Sequence, residues 1–176
     1  SRGAGAAPSG GGEAAALRRS GALARKVARV VSAGLNHGNS ADFYLDGRRV
    51  PLGGGGVASH RRGLNVLIIE PVSYSVQSAL CYDTAESGRS ASAQLAADLG
   101  AVPDGHVVLA AICGSGLEGL SAAALRALQH AGATAACAGS GQPHEAYALI
   151  GVQGGHAVAE RRGPLADAEG RLPLPA

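Results

Sequence analysis

The order of apolar and polar positions predicts a chain built mainly from β-strands. Leu64 to Ile69 (LNVLII) and His106 to Cys113 (HVVLAAIC) are almost continuously apolar, which is typical of central strands covered on both faces. Asp46-Gly47 separates two short runs, and this dipeptide favours a two-residue hairpin turn. The further predicted strands are Val27 to Ser32, Ala41 to Leu45, Arg48 to Leu52, Ser75 to Tyr82, a weak Ala133 to Cys137, Ala146 to Val152 and an edge strand at Ala157 to Glu160.

Two segments have the apolar spacing that is typical of helices. Ser87 and Ser121 are suitable N-cap residues for helices through Leu99 and His130. Together with the strands, they predict an α/β (α+β) fold: a compact two-sheet β-sandwich-like domain with two main flanking helices. The predicted core residues are Leu64, Val66, Ile68, Leu95, Leu99, Val107, Leu109, Ile112, Leu125, Leu128, Leu149 and Ile150.

Composition divides the 176 residues into three parts. Residues 1–26 are predicted to be a flexible basic N-terminal arm, since they begin with a Gly-, Ala- and Ser-rich stretch. Residues 27–162 hold the predicted elements and form one domain of ordinary size. Residues 163–176 are rich in Pro, Gly and Ala, so we expect an extended C-terminal tail.

The charges are distributed unevenly, although the formal net charge is only +2. Residues 1–31 hold six basic residues and one acidic residue, whereas the remainder is slightly acidic. We therefore expect this basic segment to bind the acidic surface of a protein partner. Nucleic-acid binding is not expected, because the arginine pairs lack interleaved aromatic residues. The predicted partner-binding residues are Arg18, Arg19, Arg25, Lys26 and Arg29.

Three patterns could carry chemistry, and none predicts an enzyme. Gly114 to Gly119 reads GxGxxG, but no acidic residue lies about 20 positions further on, as dinucleotide binding would need. Cys113 or Cys137 could act as a nucleophile with His106 or His144, yet nothing in the sequence orients such a base. The six histidines show no metal-ligand spacing, so no metal site is expected. Because the GxGxxG pattern lacks its acidic residue, no cofactor is expected either.

One ordered set of short motifs resembles a known family. The set spans about Val27 to Arg162, and no single motif in it is decisive. In this order and spacing the chain resembles the ILEI/PANDER-type domain, the interleukin-like EMT inducer module. The motifs are Ser32-Ala33-Gly34, Gly38-Asn39-Ser40-Ala41, Arg62-Gly63-Leu64-Asn65-Val66, Tyr82-Asp83-Thr84, Pro103-Asp104-Gly105 and Tyr147-Ala148-Leu149-Ile150-Gly151-Val152.

The resemblance implies two β-sheets with flanking helices and a non-catalytic role. Its relatives include secreted signalling proteins, the sugar-binding stem of a glycosyltransferase, and modules of hyaluronan-related surface proteins. In the sugar-binding stem, polar groups near two strand ends contribute to the ligand site. The corresponding residues here are His144, Glu145 and Tyr147, of which Tyr147 would supply an aromatic face. The charged stretch that follows the first strand in relatives is replaced by Cys113-Gly114-Ser115-Gly116.

The sequence therefore predicts a non-catalytic protein-interaction or structural module, one piece of a larger protein or multi-protein assembly. The alternative is a carbohydrate-binding module of a secreted or cell-surface protein, and the lesser alternative is a nucleotide-binding enzyme that uses Gly114 to Gly119. No apolar run reaches the length of a membrane span, and neither paired cysteines nor a glycosylation sequon indicates secretion. An intracellular assembly, of which a ciliary axoneme is one example, is therefore favoured over an extracellular location.

Overall fold

The computed structural model describes residues 25–52, 62–86, 88–134 and 143–174. Within these ranges the chain forms nine β-strands, two α-helices and a short 3-10 helix at Leu35–His37. The elements are β1 (Val27–Ala33), β2 (Ser40–Leu45), β3 (Arg48–Val50), β4 (Gly63–Ile69), β5 (Val76–Tyr82), α1 (Gly88–Gly100), β6 (Val107–Cys113), α2 (Ala122–His130), β7 (Ala146–Val152), β8 (Ala157–Gly163) and β9 (Leu165–Arg171).

The strands form two antiparallel sheets that share one hydrophobic core. The smaller sheet has the order β3-β2-β1-β9, and the larger has the order β5-β4-β6-β7-β8. Phe43 and Val30 from the smaller sheet pack with Leu67, Leu109 and Ile150 from the larger one, and all five are fully buried. The outward faces of β1 and β9 carry charged residues, so the alternation along each strand directs one face to the core and the other to solvent.

The two helices cover the other face of the larger sheet. Leu95 and Leu99 of α1 and Leu128 of α2 pack on Val66 and Leu149 of the sheet. Every predicted core residue is buried except Leu125, which is partly buried at the rim of this layer. In the described part of the chain, neither helix is long and apolar enough to cross a membrane.

Two local predictions are confirmed in detail. Asp46 and Gly47 have φ values of 48° and 74°, as a type I′ hairpin between β2 and β3 requires. Ser121 caps α2, since its hydroxyl accepts a hydrogen bond from the amide of Ala124 at 3.2 Å. The corresponding residue for α1, Ser87, lies outside the described residues.

A buried serine joins the two sheets. Ser32 in β1 is fully buried, and its hydroxyl donates to the carbonyl oxygen of Ile112 in β6. The same hydroxyl accepts a hydrogen bond from the amide of Tyr147 in β7 at 3.1 Å. Two residues further on in each chain segment, Gly34 and Gly114 form a bridge between the sheets. Polar bonds therefore fix the relative position of the sheets at this end of the sandwich.

The structure corrects two expectations about secondary structure. The fold is mostly β, so the α/β description fits only loosely, although the two sheets and two helices are present as predicted. The expected C-terminal tail is wrong for Leu165–Arg171, because this segment is β9 and pairs with the whole of β1. Ala166 and Ala168 face the core, but alanine is a weak strand former. The alternation of inward and outward residues along β9 therefore gave no clear strand signal in the sequence.

A third expectation falls partly outside the described residues. Of the weak strand predicted at Ala133 to Cys137, only Ala133 and Thr134 are described, and neither belongs to a strand. The glycine tract that begins at Gly53 and residues 1–24 of the predicted arm also lie outside the described residues.

Candidate functional site

Three connections between strands meet at the end of the sandwich where the sheets are joined. They are the turn after β1, the segment that leads into β7, and the crossover from β8 to β9. A pocket of about 290 Å³ lies between them, and we call it the junction pocket. Its lining residues are Asn36, His37, Pro143, His144, Glu145 and Pro164. Binding residues commonly lie on loops held by a rigid scaffold, which makes this end the candidate site.

A glycine permits the close approach of two of these segments. A Cβ added at Gly34 would overlap the carbonyl oxygen of His144, so only glycine allows the segment before β7 to lie against the turn after β1. His144 itself has a φ of 66°, in the left-handed region that a non-glycine residue rarely adopts. The backbone therefore holds the exposed His144 in a defined position beside His37.

An ion pair anchors the acidic wall of the junction pocket. The guanidinium of Arg162 in β8 lies 2.7 Å from the carboxylate of Glu145, and both side chains are largely buried. An ion pair that is partly shielded from water is screened less by salt than an exposed pair. Glu145 is therefore a fixed hydrogen-bond acceptor at the pocket wall.

The structure brings together only two of the three residues predicted to bind a saccharide. His144 and Glu145 line the junction pocket, but Tyr147 is fully buried in the cluster between the larger sheet and the helices. Its hydroxyl donates to Glu160 at 2.7 Å, which satisfies the polar end of the ring. Tyr147 therefore supports β7 and presents no aromatic face to a ligand.

Two exposed leucines flank the junction pocket, and sequence reasoning missed both. Leu35 is 47% exposed and directly precedes the pocket residue Asn36, while Leu165 is 59% exposed and directly follows Pro164. Leu35 lies in the mostly polar segment AGLNHGNS, and Leu165 lies in the segment expected to be a tail. Neither leucine belongs to a predicted strand or helix, so the sequence did not indicate that the two lie beside the same pocket. They extend the apolar surface of a pocket that is lined by four polar residues and two prolines.

The GxGxxG segment forms a packed loop that does not fit a dinucleotide. The preceding strand β6 is antiparallel to both of its neighbours, and the next helix, α2, begins only at Ala122. A Cβ added at Gly116 would overlap the hydroxyl of Thr84, and one added at Gly119 would overlap the Thr84 carbonyl oxygen. The space that a pyrophosphate would need beside these glycines is thus filled by the protein.

Acidic and thiol groups near this loop are held in structural contacts. Burial raises the pKa of Glu118, but hydrogen bonds from the Ser115 hydroxyl and the Gly116 amide outweigh it, and the net pKa is lowered. Burial raises the pKa of Cys113 to about 11, which keeps its thiol protonated near neutral pH. The other candidate nucleophile, Cys137, lies outside the described residues.

In the parts of the chain that the structure describes, no three His, Cys, Asp or Glu side chains are grouped to hold a metal ion.

Two of the predicted partner-binding basic residues form ion pairs within the fold. Lys26 lies 2.6 Å from Asp46, and Arg29 makes two hydrogen bonds to Asp167 across β1 and β9. Arg25 is exposed. Arg18 and Arg19 lie outside the described residues, so their predicted role stays a prediction.

Ion-paired carboxylates predict loss of stability in acid. Hydrogen bonds from Arg29, Arg62 and Lys26 lower the pKa values of Asp167, Asp83 and Asp46, respectively. A carboxylate whose pKa is lower in the folded chain adds stability above its unfolded pKa, about 3.9, and that stability is lost as the pH falls through the folded pKa. The urea midpoint should therefore be constant from about pH 7 to 5 and fall below about pH 4.

The variant Asp167→Asn should show a smaller acid-induced fall than the wild type, because it lacks one of the titrating groups. A midpoint that rises between pH 5 and pH 3 would contradict these pKa directions.

The comparison with known protein families gives a match for this chain. The family description that matches is "Interleukin-like EMT inducer", over residues 62–155, just over half of the chain. The matched segment begins directly before β4 and ends after β7, and it includes α1, α2 and the junction-pocket residues His144 and Glu145. No individual curated protein matches the chain. The match confirms the family resemblance, over a shorter range than the motifs suggested.

Proposed function

We propose that this chain, which belongs to the interleukin-like EMT inducer family, is a non-catalytic interaction module. The family consists of cytokine-like, protein-interaction domains. The surface that we propose to bind a protein partner is the junction pocket. The partner would be a component of a larger assembly. The observation that carries the proposal is the combination of the polar side chains that line the junction pocket with the exposed Leu35 and Leu165 beside it.

The composition of this surface supports a protein partner. Protein interfaces combine apolar anchors with a polar rim, and large exposed leucines on a sandwich end are suited to the anchor role. Asn36, His37 and His144 supply hydrogen-bonding groups around the pocket, and Glu145 is held in place by Arg162. These groups come from segments fixed by Ser32 and Gly34, so little ordering would be required on binding.

The involvement of the described side chains in structural contacts supports a non-catalytic role. Glu118 accepts from the loop that surrounds it, Glu160 accepts from Tyr147 and Thr134, and Cys113 donates to the carbonyl oxygen of Asn39. A nucleophile and its base need to be aligned for proton transfer. Glu118, Glu160 and Cys113 instead form hydrogen bonds that stabilise the fold.

The proposal is tested by comparing the proteins that the wild type and its variants retain in a capture experiment. The 176-residue chain is immobilised and incubated with extract of the cells that express it, and the retained proteins are quantified by mass spectrometry. We expect His37→Ala combined with His144→Ala to reduce a discrete set of retained proteins by about tenfold or more. Both side chains are exposed, so the fold should be retained.

The matched control is Arg48→Ala, which lies at the hairpin on the opposite end of the sandwich. It should retain the same proteins as the wild type. Equal capture by all three chains would contradict the junction pocket as the binding surface.

A carbohydrate-binding module is the second candidate function. The amide of Asn36, the imidazole groups of His37 and His144 and the carboxylate of Glu145 are groups that hydrogen-bond sugar hydroxyls. The burial of Tyr147 counts against it, because the expected aromatic face is absent from the pocket. Amide chemical shifts measured with a panel of monosaccharides at millimolar concentration discriminate the two. Shifts confined to residues 36, 37, 144 and 145 would support the sugar site, and unchanged spectra would exclude it.

A further inference from the structure

The four strands at the sheet edges differ in how they are protected against pairing with another strand. Charged residues on an edge strand prevent such pairing. β3 carries two arginines, β8 carries one glutamate and two arginines, and β9 carries two acidic residues and one arginine. β5, with the sequence VQSALCY, carries no charge over seven residues. It is the unprotected edge in the part of the chain that the structure describes.

The geometry of β5 leaves a regular segment open on its outer side. A bulge at Gln77 shifts the register with β4, so the regular pairing runs from Ser78 to Tyr82. Leu80 is the central residue of this segment, and it lies on the helix side because it pairs with Val66. Ala79 is exposed and Leu80 is only partly buried, so neither is fully covered by the protein.

A second pocket lies next to the same edge. It has a volume of about 310 Å³ and lies between β5 and the C-terminal end of α1. Leu80, Val102 and Pro103 supply its apolar wall, and Ser78 lies at its strand side. A strand added outside β5 would direct every second side chain to the helix side, and thus toward this pocket.

We propose that β5 pairs antiparallel with β5 of a second copy of this chain, about a two-fold axis at Leu80. This arrangement places Leu80 against its counterpart, Ser78 opposite Tyr82, and Ala79 opposite Cys81. The two five-stranded sheets then form one continuous ten-stranded sheet, and the two Leu80 side chains, one from the wall of each pocket, lie against each other. The inference goes beyond the proposed function and does not involve the junction pocket.

The charge pattern favours a second copy as the occupant. In a two-fold interface the same surface patch of each copy is in contact with that of the other. A charged residue close to the axis would therefore lie next to the same charge on the second copy. An edge that binds a different protein can carry charge, because the partner supplies the complement. A self-pairing edge must lack charge at the two-fold axis, and β5 lacks charge along its whole length, while the other three edges are charged.

The test is a charge exchange at the two-fold axis, read out by sedimentation velocity of the full 176-residue chain in reducing buffer. The short interface predicts a weak wild-type dimer, with a Kd on the order of 10–100 µM. L80K and L80E should each weaken dimerisation by about tenfold or more, because like charges meet at the axis. An equimolar mixture of L80K and L80E should restore a dimer, since opposite charges then face each other.

Control substitutions of the same charges are made at Gln129, an exposed residue of α2. Q129K and Q129E should dimerise as the wild type does. The proposal is overturned by a wild-type chain that stays monomeric to about 1 mM, which would leave the edge to a strand of another protein. It is also overturned by L80K and L80E proteins that dimerise normally, or by a folded mixture of the two that remains monomeric.

Discussion

Replacement of Phe43 by alanine should reduce the free energy of unfolding by about 3–5 kcal/mol, a large part of the stability of a single domain. Phe43 is the one phenylalanine of the chain and is fully buried between the sheets. It lies between Val30 and Val50 on the neighbouring strands, and both are too short to fill the space that its ring would leave. The midpoint of urea unfolding, compared with the wild type, measures the loss.

The next residue, Tyr44, is the matched control. Its ring lies on the outward face of β2, where the Arg29 guanidinium is 6.0 Å from the ring centre. An exposed cation–π contact contributes about 0.5–1 kcal/mol, so Tyr44→Ala should cost about 1 kcal/mol. Equal losses from the two variants would mean that the inward and outward faces of β2 are assigned incorrectly.

The second large effect is expected in the glycine-rich loop. Gly119→Ala should destabilise the fold by about 1–3 kcal/mol, because the new Cβ would overlap the carbonyl oxygen of Thr84. The backbone of Gly119 is not in the left-handed region, so the expected loss is steric and originates in the close approach. Urea unfolding measures this loss as well.

Gly100→Ala is the control for this substitution. Gly100 ends α1 and has open space where a Cβ would lie, so alanine should be neutral or stabilising by up to about 1 kcal/mol.

Addition of millimolar NAD should not raise the thermal midpoint of the wild type, since Thr84 occupies the space beside Gly116 and Gly119. A midpoint that rises with NAD and no longer does so in Gly116→Ala would contradict this interpretation of the loop.

The elements with strong local signals could be predicted from the sequence. Continuous apolar runs located the central strands β4 and β6, and the Asp46-Gly47 turn located the hairpin. β9 escaped prediction because its inward residues are Ala166 and Ala168, which bury little surface individually. Their burial depends on pairing with β1, about 138 residues earlier in the chain, and no local pattern encodes such a contact.

The candidate site was predictable only in part, for a similar reason. His144 and Glu145 were identified, and both line the junction pocket. Tyr147 was placed in the same site because the resemblance implies an aromatic residue there, but the pleat of β7 directs its ring under the helices. His37 and Leu35 join the site through the bridge between Gly34 and Gly114, a contact between the sheets that the sequence alone does not indicate.

The central claim is that this domain binds a protein partner through the end of the sandwich that holds the junction pocket. Site-specific photo-crosslinking tests it most directly, with a benzophenone side chain placed either at Leu35 beside the pocket or at Arg48 on the opposite end. In extract of the expressing cells, we expect a discrete protein adduct from position 35 and none from position 48. The adduct should disappear with excess unlabelled wild-type chain and persist with excess chain carrying both His37→Ala and His144→Ala. Adducts that form equally at both positions, or at position 48 alone, would contradict the claim.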